Sequence, residues 1–299
     1  MARRYESGRT LLVAFQGWND AAEAATGVLK FLAEQFDGDV VSSVDPEDYY
    51  DFQFTRPNVA LDSENNRSIE WPNTELIRAS ADSVASNPRF GEIFLLSGTE
   101  PARRWQSFTA EMLEMVEDCE IDQVIFLGAM LSDTPHTRPI KVTMTSQNDV
   151  VRNELNIERS TYEGPIGILA VMGIALEAAG IPTLSLWASV PHYVHNAASP
   201  KATLSMLIEV EGLLGVQFDH GSLADEAFTW ERGIDEVAEG DDDMASYIQQ
   251  LEKTRDLEDE AEGSAETLAH EFERFLAADA SNKDAPDSDG TTPSPETGN

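Results

Sequence analysis

The chain has 299 residues, 55 acidic against 20 basic, and a formal net charge of −35. Such a balance offers no basic footprint for nucleic acid and is repelled by an anionic membrane surface. One cysteine, Cys119, excludes an internal disulfide and a thiolate zinc site, and an apolar share of 41% is enough for a sizeable core.

In chain order, Leu11 to Phe15 is an unbroken apolar run that predicts a buried strand, too short for a signal peptide or a membrane span. Gly17 breaks it, and Asn19 or Asp20 can cap the helix predicted by Ala25, Val28, Leu29, Leu32 and Phe36, which Asp37-Gly38 stops. Val40 to Val44 predicts a second strand. Short β-like pieces follow at Tyr50 to Phe54, Val59 to Leu61 and Ser68 to Trp71, as in a hairpin or small antiparallel excursion.

Ile93 to Leu96 and Val124 to Leu127 predict two more buried strands, with a helix between them carried by Trp105, Phe108, Met112 and Val116. A polar loop from Ser132 to Arg138 and a strand from Ile140 to Thr145 come next. Glu163-Gly164-Pro165 is expected to open a helix that ends near Gly180. Thr183 to Ala188 is the last predicted strand, and a helix from about Lys201 to Leu214 follows it.

Strands alternating with helices, without period-two patterning, predict a three-layer αβα sandwich around a mostly parallel sheet. That domain is expected over residues 1–225. From 226 to 278 acidic residues dominate and no strand signal remains, which predicts a C-terminal helical extension with three apolar stripes: Trp230, Ile234 and Val237; Met244, Tyr247, Ile248 and Leu251; Leu268, Phe272, Phe275 and Leu276. Gly240 to Asp243 reads as a cap between the first two. Residues 279–299 are Asp, Ser, Thr, Pro and Gly-rich and predict disorder.

Ligands of open α/β sheets bind beyond the C-terminal strand ends. The candidate rim is therefore Trp18, Asn19 and Asp20 after the first strand, Gly98 and Glu100 after the third, Gly128, His136 and Thr137 after the fourth, Gly164 before a helix, and His192 and Tyr193 after the last. Trp18-Asn19-Asp20 reads either as a helix cap with Trp18 packed over it or as the wall of a pocket. A triad drawn from Ser97 or Ser189, His136 or His192, and Asp20 or Asp133 lacks the G-x-S-x-G elbow. Gly164 and Gly167 fit neither phosphate-binding glycine pattern. Cys119 sits among acids, which raise a thiol's pKa, and reads as inert. No metal or cofactor is called for.

The strand followed by GWNDA, the Ser-Gly-Thr-Glu-Pro strand end, the Thr-Pro-His-Thr-Arg-Pro loop, Tyr-Glu-Gly-Pro-Ile-Gly and a late helix ending Leu-Leu-Gly together resemble the PAC2 family, actinobacterial type, over about Thr10 to Leu223. The resemblance implies a phosphorylase/hydrolase-like αβα domain, usually in a homo-oligomer; the lack of a signal-peptide or membrane-span pattern predicts a cytoplasmic location. The resemblance further implies a non-catalytic, chaperone-like or scaffold role, with proteasome subunits as candidate partners. The sequence ends Pro-Glu-Thr-Gly-Asn and lacks the hydrophobic-Tyr-X tail by which some archaeal relatives dock. The alternative is a small-ligand enzyme, a hydrolase or an ATP-dependent carboxylate-amine ligase, using the rim.

Overall fold

The computed structural model describes Tyr5 and residues 7–63, 65–80 and 92–261. The chain divides into two units, Met1–Ile248 and Gln249–Asn299. The second is described over 249–261, all helical, with Arg255 paired to Glu258 and Asp259 along the helix. The stripe from Leu268 to Leu276 and the 279–299 tail lie outside the described residues. Among those described, no helix is long and apolar enough to cross a membrane.

In the first unit the strands are β1 (Thr10–Gln16), β2 (Asp39–Ser43), β3 (Asn58–Leu61), β4 (Arg67–Glu70), β5 (Thr74–Arg78), β6 (Ile93–Thr99), β7 (Gln123–Ser132), β8 (Val142–Thr145) and β9 (Thr183–Pro191). The helices are α1 (Ala24–Phe36), α2 (Pro46–Tyr49), α3 (Trp105–Asp118), α4 (Asp149–Leu155), α5 (Ile168–Ala178), α6 (Pro200–Leu214) and α7 (Leu223–Glu239). Seven strands make one sheet in the order β2-β5-β6-β1-β7-β9-β8. β6, β1, β7 and β9 pair in parallel at its centre, and β5 and β8 run against their neighbours.

Both faces of the central strands are buried, which is why they read as continuous apolar runs. Leu12 and Ala14 of β1 face α1 and α6, whereas Leu11, Val13 and Phe15 face α3 and α5. The result is the expected three-layer αβα sandwich. α7 packs on α6 through Leu223, Ala227, Ile234 and Ala238, whereas Val237, expected on the apolar stripe, is 63% exposed.

Several local expectations are corrected. Thr74–Arg78 is a strand that pairs antiparallel with both β2 and β6, and Tyr50–Phe54 is not a strand. Asp45 caps α2 through the Glu47 amide, with Pro46 at its first position. α1 ends on Asp37 in the left-handed conformation (φ 45°), and Gly38 is needed for another reason: a Cβ there would lie 2.6 Å from Ile77 and 2.8 Å from the Arg78 carbonyl. α5 begins at Ile168 rather than at Pro165, with the extended Gly167 before it.

Candidate functional site

The parallel strands deliver their loops to one end of the sheet, where two polar clusters form. The first is built on the turn after β1. Gly17 and Trp18 loop outward, and the chain then rejoins the sheet: the Ala129 amide donates to the Asn19 carbonyl (2.8 Å) and Asp20 pairs in parallel with Ala129 of β7. This fixes Asn19 at 3% exposure with its side chain turned inward. Asn19 Nδ2 donates to Glu100 Oε1 (3.0 Å), and the same oxygen accepts from the Ile168 amide (3.0 Å). Glu100 thus places a carboxylate at the N-terminus of α5, where unsatisfied amides and the helix dipole favour it. Gly167 packs over Asn19, and a Cβ there would stand 2.2 Å from Nδ2.

Asp20 turns the other way, into the start of α1. Its Oδ1 accepts from the amides of Ala25 (2.8 Å) and Thr26 (3.3 Å), and its Oδ2 from the Thr26 hydroxyl. The expected cap is present, but it acts across a short 3-10 turn (Ala21–Glu23) rather than from the residue adjoining the helix. Burial raises the Asp20 carboxyl above its ordinary range against the opposing hydrogen bonds from Thr26 and Ala25. Its contribution to stability is therefore fully present below the unfolded-state pKa and is lost as pH rises through the folded value. Asp20→Asn is expected to remove that slope and leave the urea midpoint nearly unchanged. Asp20→Ala is expected to cost about 1–2 kcal/mol, as for loss of a helix cap.

The second cluster centres on His136, 0% exposed, in the loop after β7. The Tyr193 hydroxyl accepts from the His136 amide (2.7 Å) and lies 2.8 Å from Nδ1, while Nε2 lies 3.1 Å from Asp235 Oδ1 on α7. A hydroxyl proton donated to Nδ1 and an Nε2–H donated to Asp235 satisfy all three groups. Lys201 Nζ donates to the His136 carbonyl (2.5 Å) and pairs with Glu231, one turn from Asp235 on α7. Burial pushes the His136 imidazole below its ordinary pKa, with Asp235 the main opposing influence. Around this core, His192 Nδ1 lies 3.2 Å from Asp133 Oδ1, near enough for an ion pair but not aligned as a hydrogen bond. Tyr193 and Tyr247 meet the His192 ring edge-on.

The structure thus joins Asn19 with Glu100, and His136 with His192 and Tyr193. The others have separate roles. Trp18 is 66% exposed, so most of its ring stands in solvent at the turn after β1. A Cβ on Gly98 would lie 2.3 Å from the Asn73 carbonyl, and one on Gly128 would strike the Trp187 ring, so both allow close sheet packing. Gly164 lies against the Tyr162 hydroxyl, and Thr137 Oγ1 accepts from Arg138 (3.4 Å). The mixed serine triads do not assemble at His136, because both its ring nitrogens are taken by Tyr193 and Asp235. Cys119 has its pKa raised, first by burial and then by Asp118. Among the described residues no group of three or more His, Cys, Asp or Glu is arranged to hold a metal. Asp235, Lys201 and Glu231 carried no local sequence signal, since their partners lie 30 to 99 residues away.

The PAC2 family profile matches residues 14–238. The chain belongs to the PAC2 family. Among solved structures it is similar to a PAC2 family protein from Streptomyces avermitilis, at 39% identity over 80% of this chain and 99% of that one, with a TM-score of 0.73. A proteasome-assembly chaperone homologue from Mycobacterium tuberculosis matches at 35% identity over 80% and 99% of the two chains, with a TM-score of 0.70. An archaeal proteasome activator from Pyrococcus furiosus shares the fold at 13% identity, covering 77% and 93%, with a TM-score of 0.60. A search of curated proteins found no match. The PAC2 match takes in both polar clusters apart from Tyr247, and most of α7.

Proposed function

We propose that this PAC2-family chain is a cytoplasmic, self-associating, chaperone-like scaffold that acts by binding other proteins, proteasome subunits first among them, and not by catalysis. One observation carries the reading. At the strand ends, where an α/β enzyme keeps its reactive groups free for substrate, Asp20, Glu100 and His136 are each bonded to amides or side chains of this same chain. Asp20 spends both carboxylate oxygens, Glu100 its Oε1 and His136 both ring nitrogens on this chain, so all three position its own backbone and side chains. The similarity to a proteasome-assembly chaperone homologue supports the choice of partner.

The test is native mass spectrometry of the purified full chain titrated with proteasome α-subunits of its own organism. A stoichiometric complex is expected, and it should survive Asp20→Asn and His192→Ala. Absence of any complex at tens of micromolar, with hydrolytic turnover that Asp20→Asn abolishes, would overturn the proposal.

A further inference from the structure

Ser222, at the cap of α7, recurs with Asp225, Glu226 and Thr229 at the spacing of one helix face. With Trp230, and with Pro200 at the start of α6, they line a groove of about 410 Å³. Trp230 stands edge-on to the buried His136 ring, centroids 6.5 Å apart. Ser222 Oγ donates to Glu226 Oε1 (2.6 Å), which ties that carboxylate to the groove. Asp225 is exposed and, among the described residues, forms no ion pair. The lining holds no basic side chain: Lys201, next to Pro200, is turned to Glu231 and the His136 carbonyl.

Acids in the first turn of a helix are ordinary, because they meet its positive end. Two further features distinguish this groove. The first is an indole beside two carboxylates, the chemistry that recognises an organic cation. The second is Gly233, exposed in the interior of α7, one turn beyond Thr229 on the same face. A glycine inside a helix weakens it relative to alanine. A Cβ at Gly233 would meet nothing within 4 Å, so this chain's own packing does not call for the glycine. A foreign backbone lying along α7 gains a close approach there.

We infer that this groove takes an arginine side chain of a partner protein. This rests on the reading of the chain as a protein-binding scaffold and gives the chemistry of one contact. A guanidinium is planar, weakly hydrated and rich in donors, so it can stack on Trp230 while bonding to Asp225 and Glu226; an ammonium is a point charge without a planar face. The net charge of −35 draws basic surfaces toward the chain. Free arginine carries a carboxylate that the two acids repel, so the ligand is an arginine within a peptide chain.

The experiment is isothermal titration calorimetry of the full chain with the acetylated, amidated peptide Gly-Ala-Leu-Arg-Leu-Ala-Gly. The salt is about 0.15 M, where screening confines charge attraction to about 8 Å. Saturable one-to-one binding is expected. The peptide with citrulline for arginine, the Asp225→Asn/Glu226→Gln variant and Gly233→Leu should each weaken it about tenfold or more. The lysine peptide is expected to be weaker too, and Glu239→Gln/Asp242→Asn, which removes the same charge elsewhere, is expected to bind as wild type. Full affinity in any of the three weakened cases, or with lysine, would overturn the proposal. Equal weakening by Glu239→Gln/Asp242→Asn would reduce it to general attraction and overturn it as well. A peptide that does not bind would overturn the groove alone, as would a complex with α-subunits that Asp225→Asn/Glu226→Gln leaves intact. Peptide binding without any α-subunit complex would instead remove the proposed partner and leave the groove standing.

Discussion

His136→Ala is expected to lower the unfolding free energy by about 3 kcal/mol, read as a shift of the urea midpoint at constant slope. The side chain has no exposed surface and fills the space between Tyr193 and α7. Truncation leaves a cavity, and it removes both the acceptor at Nδ1 and the donor at Nε2. Asp235 is half exposed and can turn to water, so Asp235→Asn is expected to cost at most about 1 kcal/mol. The difference between the two variants separates the buried imidazole from the surface charge that meets it. A pH dependence accompanies it. Burial holds the folded imidazole below its ordinary pKa, so as pH falls through about 6.5 the unfolded chain takes up the proton first. Stability should therefore decline over the window between that value and the lower folded pKa. The His136→Ala variant should lose this component of the decline.

Gly167→Ala is expected to destabilise by about 2 kcal/mol, the usual cost of overpacking a fixed site. The new methyl would stand 2.2 Å from Asn19 Nδ2. Asn19 cannot easily yield, because its amide is bonded to Glu100 and its carbonyl to the Ala129 amide. Moving the amide would unpair an oxygen that also holds the start of α5. Asn19→Ala alone should cost about 1–2 kcal/mol through the lost buried bond. The double variant should be more stable than the sum of the two costs allows, by about 1 kcal/mol, because removing the amide removes the clash. Strict additivity in urea titrations would show that Gly167 and Asn19 do not constrain each other.

These two expectations lie in the part of the molecule that was hardest to read in the sequence. The strands β1, β6, β7 and β9 were legible because burial on both faces leaves an apolar run bounded by glycine or polar residues. The αβα architecture followed from their alternation with helices. β5 was not legible: Thr74-Glu75-Leu76-Ile77-Arg78 is short and mixes charge with apolar residues, and its strand state depends on β2 and β6 on either side. α5 was placed early because Pro165 suits a helix start. The packing of Asn19 against Gly167, which holds the preceding backbone extended, has no local mark. At the rim, sequence alone named the capping role of Asp20 and the meeting of several loops. It left Glu100 as one strand-end acid among others, and it did not couple His136 to α7, because Asp235 and Lys201 are brought there by tertiary packing.

The central claim is that the strand-end polar groups are committed to holding this chain's own loops and helices. The most direct measurement is a thermal-shift series of the full-length protein against a metabolite panel at millimolar concentration. A ligand at one hundred times its Kd would add about 2.7 kcal/mol and be plainly visible. The account predicts an unchanged midpoint across the panel. A saturable rise that Glu100→Gln or Trp18→Ala abolishes would contradict it.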